Sequence, residues 1–137
     1  MLVGVSEGAG LSLLAATDAR TKTLITGVVG VGMPDINELG WRWQDSVIYF
    51  THKVPNEPTF STAGIAANVT PLPLAAIHST TDEFVPLRDI QRVIANANEP
   101  KRLWLVKASD HRFSDNRDEF DARRLEAIGW VTEHAPK

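Results

Sequence analysis

The chain has 137 residues, enough for one domain with its own core. Its formal net charge is −3 and it has no basic block, which argues against phosphate backbones and anionic membrane surfaces as partners. It has no cysteine, which excludes disulfides, a thiolate nucleophile and thiolate metal sites.

Four apolar runs read as strands: Leu2–Val5, Thr23–Val31, Leu72–Ile77 and Leu103–Val106. None alternates polar with apolar residues, so the sheet they form is expected to be covered on both faces. Helical patterns span Gly8–Thr17, Leu87–Asn96 and Asp115–Val131. In the second, Leu87, Ile90, Val93 and Ile94 share a face behind Pro86, a common helix-start residue. In the third, Phe120, Leu125, Ile128 and Trp130 are the core candidates. Strand and helix in alternation imply parallel β-α units and the α/β class.

The stretch 32–71 is too long for an ordinary connection. It carries Trp41, Trp43, Ile48, Tyr49 and Phe50, too much apolar surface for a linker. It is expected to be a folded excursion within a single domain 1–137, with a helix near Asp45–Thr51, lying over the strand ends as a lid does. Trp41 and Trp43 read as lid core ahead of substrate platform. No apolar run reaches the ~20 residues of a membrane span. No signal segment is visible, so a cytoplasmic location is expected.

Three motifs fall just past strand ends, the edge where sites form in parallel α/β sheets. Gly4-Val5-Ser6-Glu7-Gly8 is a G-x-S-x-G pattern between the first strand and the first helix. In that context a sharp, strained turn lifts a serine hydroxyl out of the backbone, and glycines are expected beside it because side chains would clash. Asp82 follows the third strand, with Glu83 as its nearest rival for an acid role. His111 follows the fourth strand in Ser109-Asp110-His111-Arg112-Phe113.

The residue types fit one chemistry. A serine hydroxyl is a weak nucleophile and needs a base beside it. His111 would take the proton of Ser6, and Asp82 would orient the imidazole and stabilise its charged form. The backbone N–H of Glu7, at a helix N-terminus, would supply one donor of an oxyanion hole. The plain alternative for Ser6 is a helix cap. His52, a substrate contact or plain surface, His78, and His134, in the tail, compete with His111. No HExxH-like cluster suggests a metal, and no cofactor is expected.

The order Ser6, Asp82, His111, carried by these motifs, resembles the α/β-hydrolase family, close to its dienelactone-hydrolase and small-esterase branch. G-V-S-E-G resembles the family's nucleophile elbow. H-S-T-T-D-E-F-V-P resembles H-G-x-x-D-x-x-V-P, with Asp82 at the acid position and His78 at a turn-stabilising one. S-D-H-R-F resembles the loop of the catalytic histidine. Ser79 departs from the pattern, where the family has glycine. The resemblance runs over nearly the whole chain and implies the fold's strands five to eight, about four parallel strands, with the lid between six and seven. It implies a serine hydrolase that cleaves a small-molecule carboxylic ester, lactone or thioester through an acyl-enzyme. A peptidase or acyltransferase on the same triad is the second reading, and a non-catalytic half-domain that binds a partner is the third.

A complete α/β-hydrolase draws its second oxyanion N–H from the loop after its third strand, which in this numbering falls before Met1. Right-handed crossovers between strands advancing one way put their helices on one face, leaving only the last helix for the other. Leu2–Val5 becomes an open edge. The chain is therefore expected to be a partial fold, paired through that edge with a second copy or with a missing N-terminal half.

Overall fold

The computed structural model describes residues 1–39 and 58–137. Among them the chain runs β1 (Leu2–Val5), α1 (Glu7–Ala15), α2 (Ala19–Lys22), β2 (Val28–Val31), β3 (Ile36–Glu38), β4 (Thr59–Ser61), α3 (Thr62–Ile65), a 3-10 turn (Ala66–Val69), β5 (Leu74–Ser79), α4 (Leu87–Asn96), β6 (Lys101–Val106) and α5 (Arg117–Glu133). Strands β1, β2, β5 and β6 form one parallel sheet in that order. Val31 is level with Ile77, and Ile77 with Trp104.

Every residue of β5 is buried, as a strand paired on both sides and covered on both faces requires. Its side chains alternate between two cores. Leu74 and Ala76 join Val28, Ala9 and Leu13 of α1, and Ile90 and Val93 of α4. Ala75 and Ile77 join Val29, Val31 and Trp104 on the other face, with Ala127 and Val131 of α5. Helices α1, α3 and α4 thus share one face and α5 holds the other, as the crossover rule predicts. Each fully buried Leu or Val of this size contributes roughly 1.5–3 kcal/mol.

Close approach of α1 to the sheet depends on missing side chains. A Cβ on Gly4 would lie 2.2 Å from the carbonyl oxygen of Gly8, and one on Gly30 would meet Met33 Cε at 2.3 Å. A Cβ on Gly8 meets nothing within 4 Å, so the expected crowding on both sides of Ser6 holds on the strand side alone.

The expected strand over Thr23–Val31 begins only at Val28. Asp18 instead caps α2, its carboxylate accepting from the N–H groups of Arg20 and Thr21 at 3.0 and 3.2 Å, and that helix ends at Lys22. Leu125, expected in the core of the last helix, is 67% exposed. It lies two residues from buried Ala127, about 200° around the helix.

Strands β3 and β4 pair antiparallel, Ile36 with Ser61, and join the two ends of the 40–57 stretch. Buried Asp35 anchors this ribbon. Its carboxylate accepts from Ser61 Oγ (2.6 Å), the Ala63 N–H (3.1 Å) and Arg92 (3.0 Å). Burial pushes its pKa up, yet Ser61, Ala63 and Arg92 together hold it below the usual carboxylate value. The expected helix near Asp45–Thr51, with Trp41, Trp43 and His52, lies outside the described residues.

Among the described residues β1 pairs only with β2, and Val3 and Val5 are 53% and 60% exposed. No described helix is long and apolar enough to cross a membrane.

Candidate active site

Ser6 stands alone between the last residue of β1 and the first of α1. Its N–H donates to Val31 of the neighbouring strand at 2.8 Å, and its carbonyl accepts the first helical bond, from Ala9 at 2.9 Å. Between these two constraints its backbone takes φ 53 and ψ −124, a sparsely populated region for a residue with a side chain. Its hydroxyl makes no helix-capping bond. The Glu7 and Gly8 amides precede the first helical bond and have no intrahelical acceptor, as at every helix start.

Asp82 and His111 meet. His111 Nδ1 lies 2.5 Å from Asp82 Oδ2, with the carboxylate fully buried and the imidazole 11% exposed. The second oxygen, Asp82 Oδ1, accepts from the N–H groups of Phe84 (2.9 Å) and Val85 (2.8 Å). The carboxylate is thus fixed by its own turn while one oxygen faces the ring. With Nδ1 engaged, Nε2 is the ring nitrogen left for other partners.

Four further residues hold this pair. Gly32, just past β2, has φ +57, and a Cβ there would fall 2.6 Å from His111 Cε1. The Phe84 ring stands perpendicular to the imidazole, centroids 5.7 Å apart. Glu83 bonds the main chain of this residue and not its ring: its Oε2 accepts the backbone N–H of His111 at 2.7 Å. Ser79, the departure from the family pattern, is buried, and its hydroxyl donates to the carbonyl of Ala108 at 3.0 Å. Of these, Gly32 and Phe84 escaped the sequence reading. Gly32 left one usable signal, a glycine directly after an apolar strand run.

His78 is fully buried under this turn. Its Nε2 lies 3.0 Å from the Val85 carbonyl and 3.9 Å from Asp82 Oδ2, and its Nδ1 has no hydrogen-bond partner. Burial pushes its pKa below the ordinary imidazole value, against the opposing pull of the Val85 carbonyl and Asp82. The neutral ring with Nε2–H donating to Val85 fits both facts. His134 is exposed at the end of α5, its ring stacked on Trp130.

Ser6 and His111 line one cleft of about 660 Å³. Its apolar walls come from Val3, Val5, Phe113 and Phe120, and Arg112, Arg117 and Arg124 stand around it. Phe113 has φ 57 and stacks on Phe120 at 4.4 Å, which seats the histidine loop on α5. Among the described residues no group of three or more His, Asp or Glu side chains could hold a metal ion.

The fold recurs in solved structures. The esterase domain of a Rhodothermus marinus protein superposes with TM-score 0.65 at 16% identity, over 95% of this chain and 58% of that one. A Paleococcus ferrophilus monoacylglycerol lipase superposes with TM-score 0.63 at 13% identity, over 97% of this chain and 68% of that one. The fold is that of the α/β-hydrolases. Within this α/β-hydrolase fold the chain spans less than two thirds of the Rhodothermus domain. A Pyrococcus furiosus esterase gives TM-score 0.62 at 15% identity, with 51% of its chain covered. In sequence, the uncharacterized protein YfhR of Escherichia coli is 32% identical over 77 residues, 55% of this chain and 26% of YfhR. No family model matches the chain.

Proposed function

We propose that this chain carries the serine, acid and base of an ester hydrolase acting on small molecules. One observation carries the reading: the 2.5 Å contact between Asp82 and His111 joins a histidine that shares a cleft with strained Ser6. In this reading His111 Nε2 takes the proton of Ser6 Oγ as the oxygen attacks a carbonyl carbon. Asp82 holds Nδ1 as the donor and stabilises the imidazolium. The N–H of Glu7 donates to the developing oxyanion, aided by the dipole of α1. His111 then protonates the leaving group, and water activated by the same ring releases the acyl group from Ser6. Ester, lactone and thioester all fit this sequence, and the reaction as written needs no cofactor. A lid from the 32–71 excursion would have to come from its part outside the described residues, since Ala63, Ala66 and Val69 near its end pack into the core with α1 and α4.

The test is covalent labelling with a fluorophosphonate probe. Wild type is expected to label and Ser6→Ala to resist. Equal labelling of both removes Ser6 from the chemistry.

The edge of β1, unpaired among the described residues, favours a second component. Exposed Val3 and Val5 border the same cleft as Ser6, so a further strand laid on β1 would cover them and wall the site. A second copy or a separate N-terminal segment would supply it, together with a second oxyanion donor. Light scattering of the purified chain reads this directly. A stable, fully active monomer counts against it.

A further inference from the structure

Glu83 and Asp82 are consecutive, yet they bind different ends of one residue. Asp82 Oδ2 takes the imidazole Nδ1 of His111 at 2.5 Å, and Glu83 Oε2 takes its backbone N–H at 2.7 Å. We propose that Glu83 is a positioning residue that fixes the backbone of His111, so that the ring is aimed by two carboxylates of one turn. The proposal rests on the base role of His111 put forward above.

The need for a second hold is local. His111 lies in the 107–116 segment, which contains neither helix nor strand. The loop is braced around His111, by Asp110 Oδ1 on the Arg112 and Ser114 N–H groups and by Phe113 on Phe120, but none of these contacts takes the N–H of His111 itself. The acid turn is in contrast well fixed, by Phe84 and Val85 on Asp82 Oδ1 and by His78 on the Val85 carbonyl. Glu83 transfers that fixity to the histidine loop. Ser79 makes the companion link at the start of the loop, from the same turn to Ala108. Glu83 is itself exposed, so ordering its side chain costs entropy that a solvated carboxylate would avoid, and the bond to His111 is what it gains.

Because Glu83 is exposed, Glu83→Ala leaves no buried group unpaired in the core and is expected to fold. Glu83→Gln keeps a carbonyl acceptor without the charge. The His111 amide is followed by NMR hydrogen exchange, the site by the rate of fluorophosphonate labelling, and the fold by urea midpoint. Glu83→Ala is expected to speed exchange of that amide and to slow labelling about three- to tenfold at an unchanged midpoint. Glu83→Gln is expected to recover most of both. Unchanged exchange in Glu83→Ala overturns the proposal. So does a Gln variant as impaired as Ala, since charge alone would then be at work. A labelling loss matched by a fallen midpoint overturns it as well, because it reports a structural role only. Wild type that resists the probe, or labels equally with Ser6→Ala, speaks against the serine chemistry. The exchange arm then decides by itself whether Glu83 fixes His111.

Discussion

Gly32 leaves no room for a side chain beside His111: a Cβ there would lie 2.6 Å from Cε1 and 3.0 Å from Nδ1 of the ring. The neighbour is a ring already bonded to Asp82, so it cannot swing away without losing that bond. Gly32→Ala is expected to slow probe labelling at least about tenfold, with roughly 1–2 kcal/mol of added backbone strain at φ +57. Gly32→Asn separates the two effects, because asparagine tolerates the left-handed backbone but still carries a Cβ. It should label as poorly as the alanine variant. Recovery in the asparagine variant would assign the whole effect to strain.

Ser6 trades stability for its position. Its φ of 53 is one a glycine adopts freely. Ser6→Gly is expected to abolish labelling and yet raise unfolding free energy by about 1 kcal/mol, the relieved strain less the extra entropy of an unfolded glycine. Paired urea titrations check it. A less stable glycine variant would mean the serine is not strained.

His78 makes the fold sensitive to mild acid. Its folded pKa lies below its unfolded value near 6.5, so the unfolded chain binds the proton first. Its stabilising effect is complete above pH ~6.5 and declines as pH falls toward the folded pKa. His78→Gln, which retains an N–H donor for the Val85 carbonyl, should flatten the dependence of the urea midpoint between pH 7 and about 5. An equal slope in both proteins would point to another group.

Asp35 acts in a lower window. Its depressed carboxylate stabilises the fold above the unfolded pKa near 3.9, and that contribution is lost as pH falls through the folded value. Asp35→Ala removes the acceptor of Ser61, the Ala63 N–H and Arg92 together. A cost of about 2–4 kcal/mol is expected by chemical denaturation at neutral pH. Arg92→Ala, which leaves the other two donors in place, should cost much less.

What could be read from the amino-acid order was what local pattern controls. Leu87–Asn96 was predicted at its observed bounds because Pro86 and the Ile90–Val93 spacing agree on one helix. Thr23, Leu24 and Ile25 resemble a strand start by composition, but the cap at Asp18 commits the chain to a helical turn first, and Leu24 is left 81% exposed. Leu125 misled for a related reason: one apolar residue does not reveal which side of a helix faces the sheet. In the candidate site the motif register chose Asp82 over Glu83 as the partner of the ring. It could not show that Glu83 holds the same histidine by its backbone, because that depends on where two loops cross. Gly32 escaped for the same reason, since its neighbour lies far away in the chain.

The four strands of the parallel sheet lie side by side in the order in which they occur along the chain. Each β-α unit can therefore dock on the one made before it, and synthesis and assembly can proceed in the same direction. Ser6 stands in the first unit and His111 beyond the last strand. If His111 serves Ser6 as proposed, a chain not yet made to residue 111 carries the serine without its base. Under the proposed mechanism reactivity would arrive with the His111 loop, and a labelled Ser6 would mark molecules in which that loop has docked.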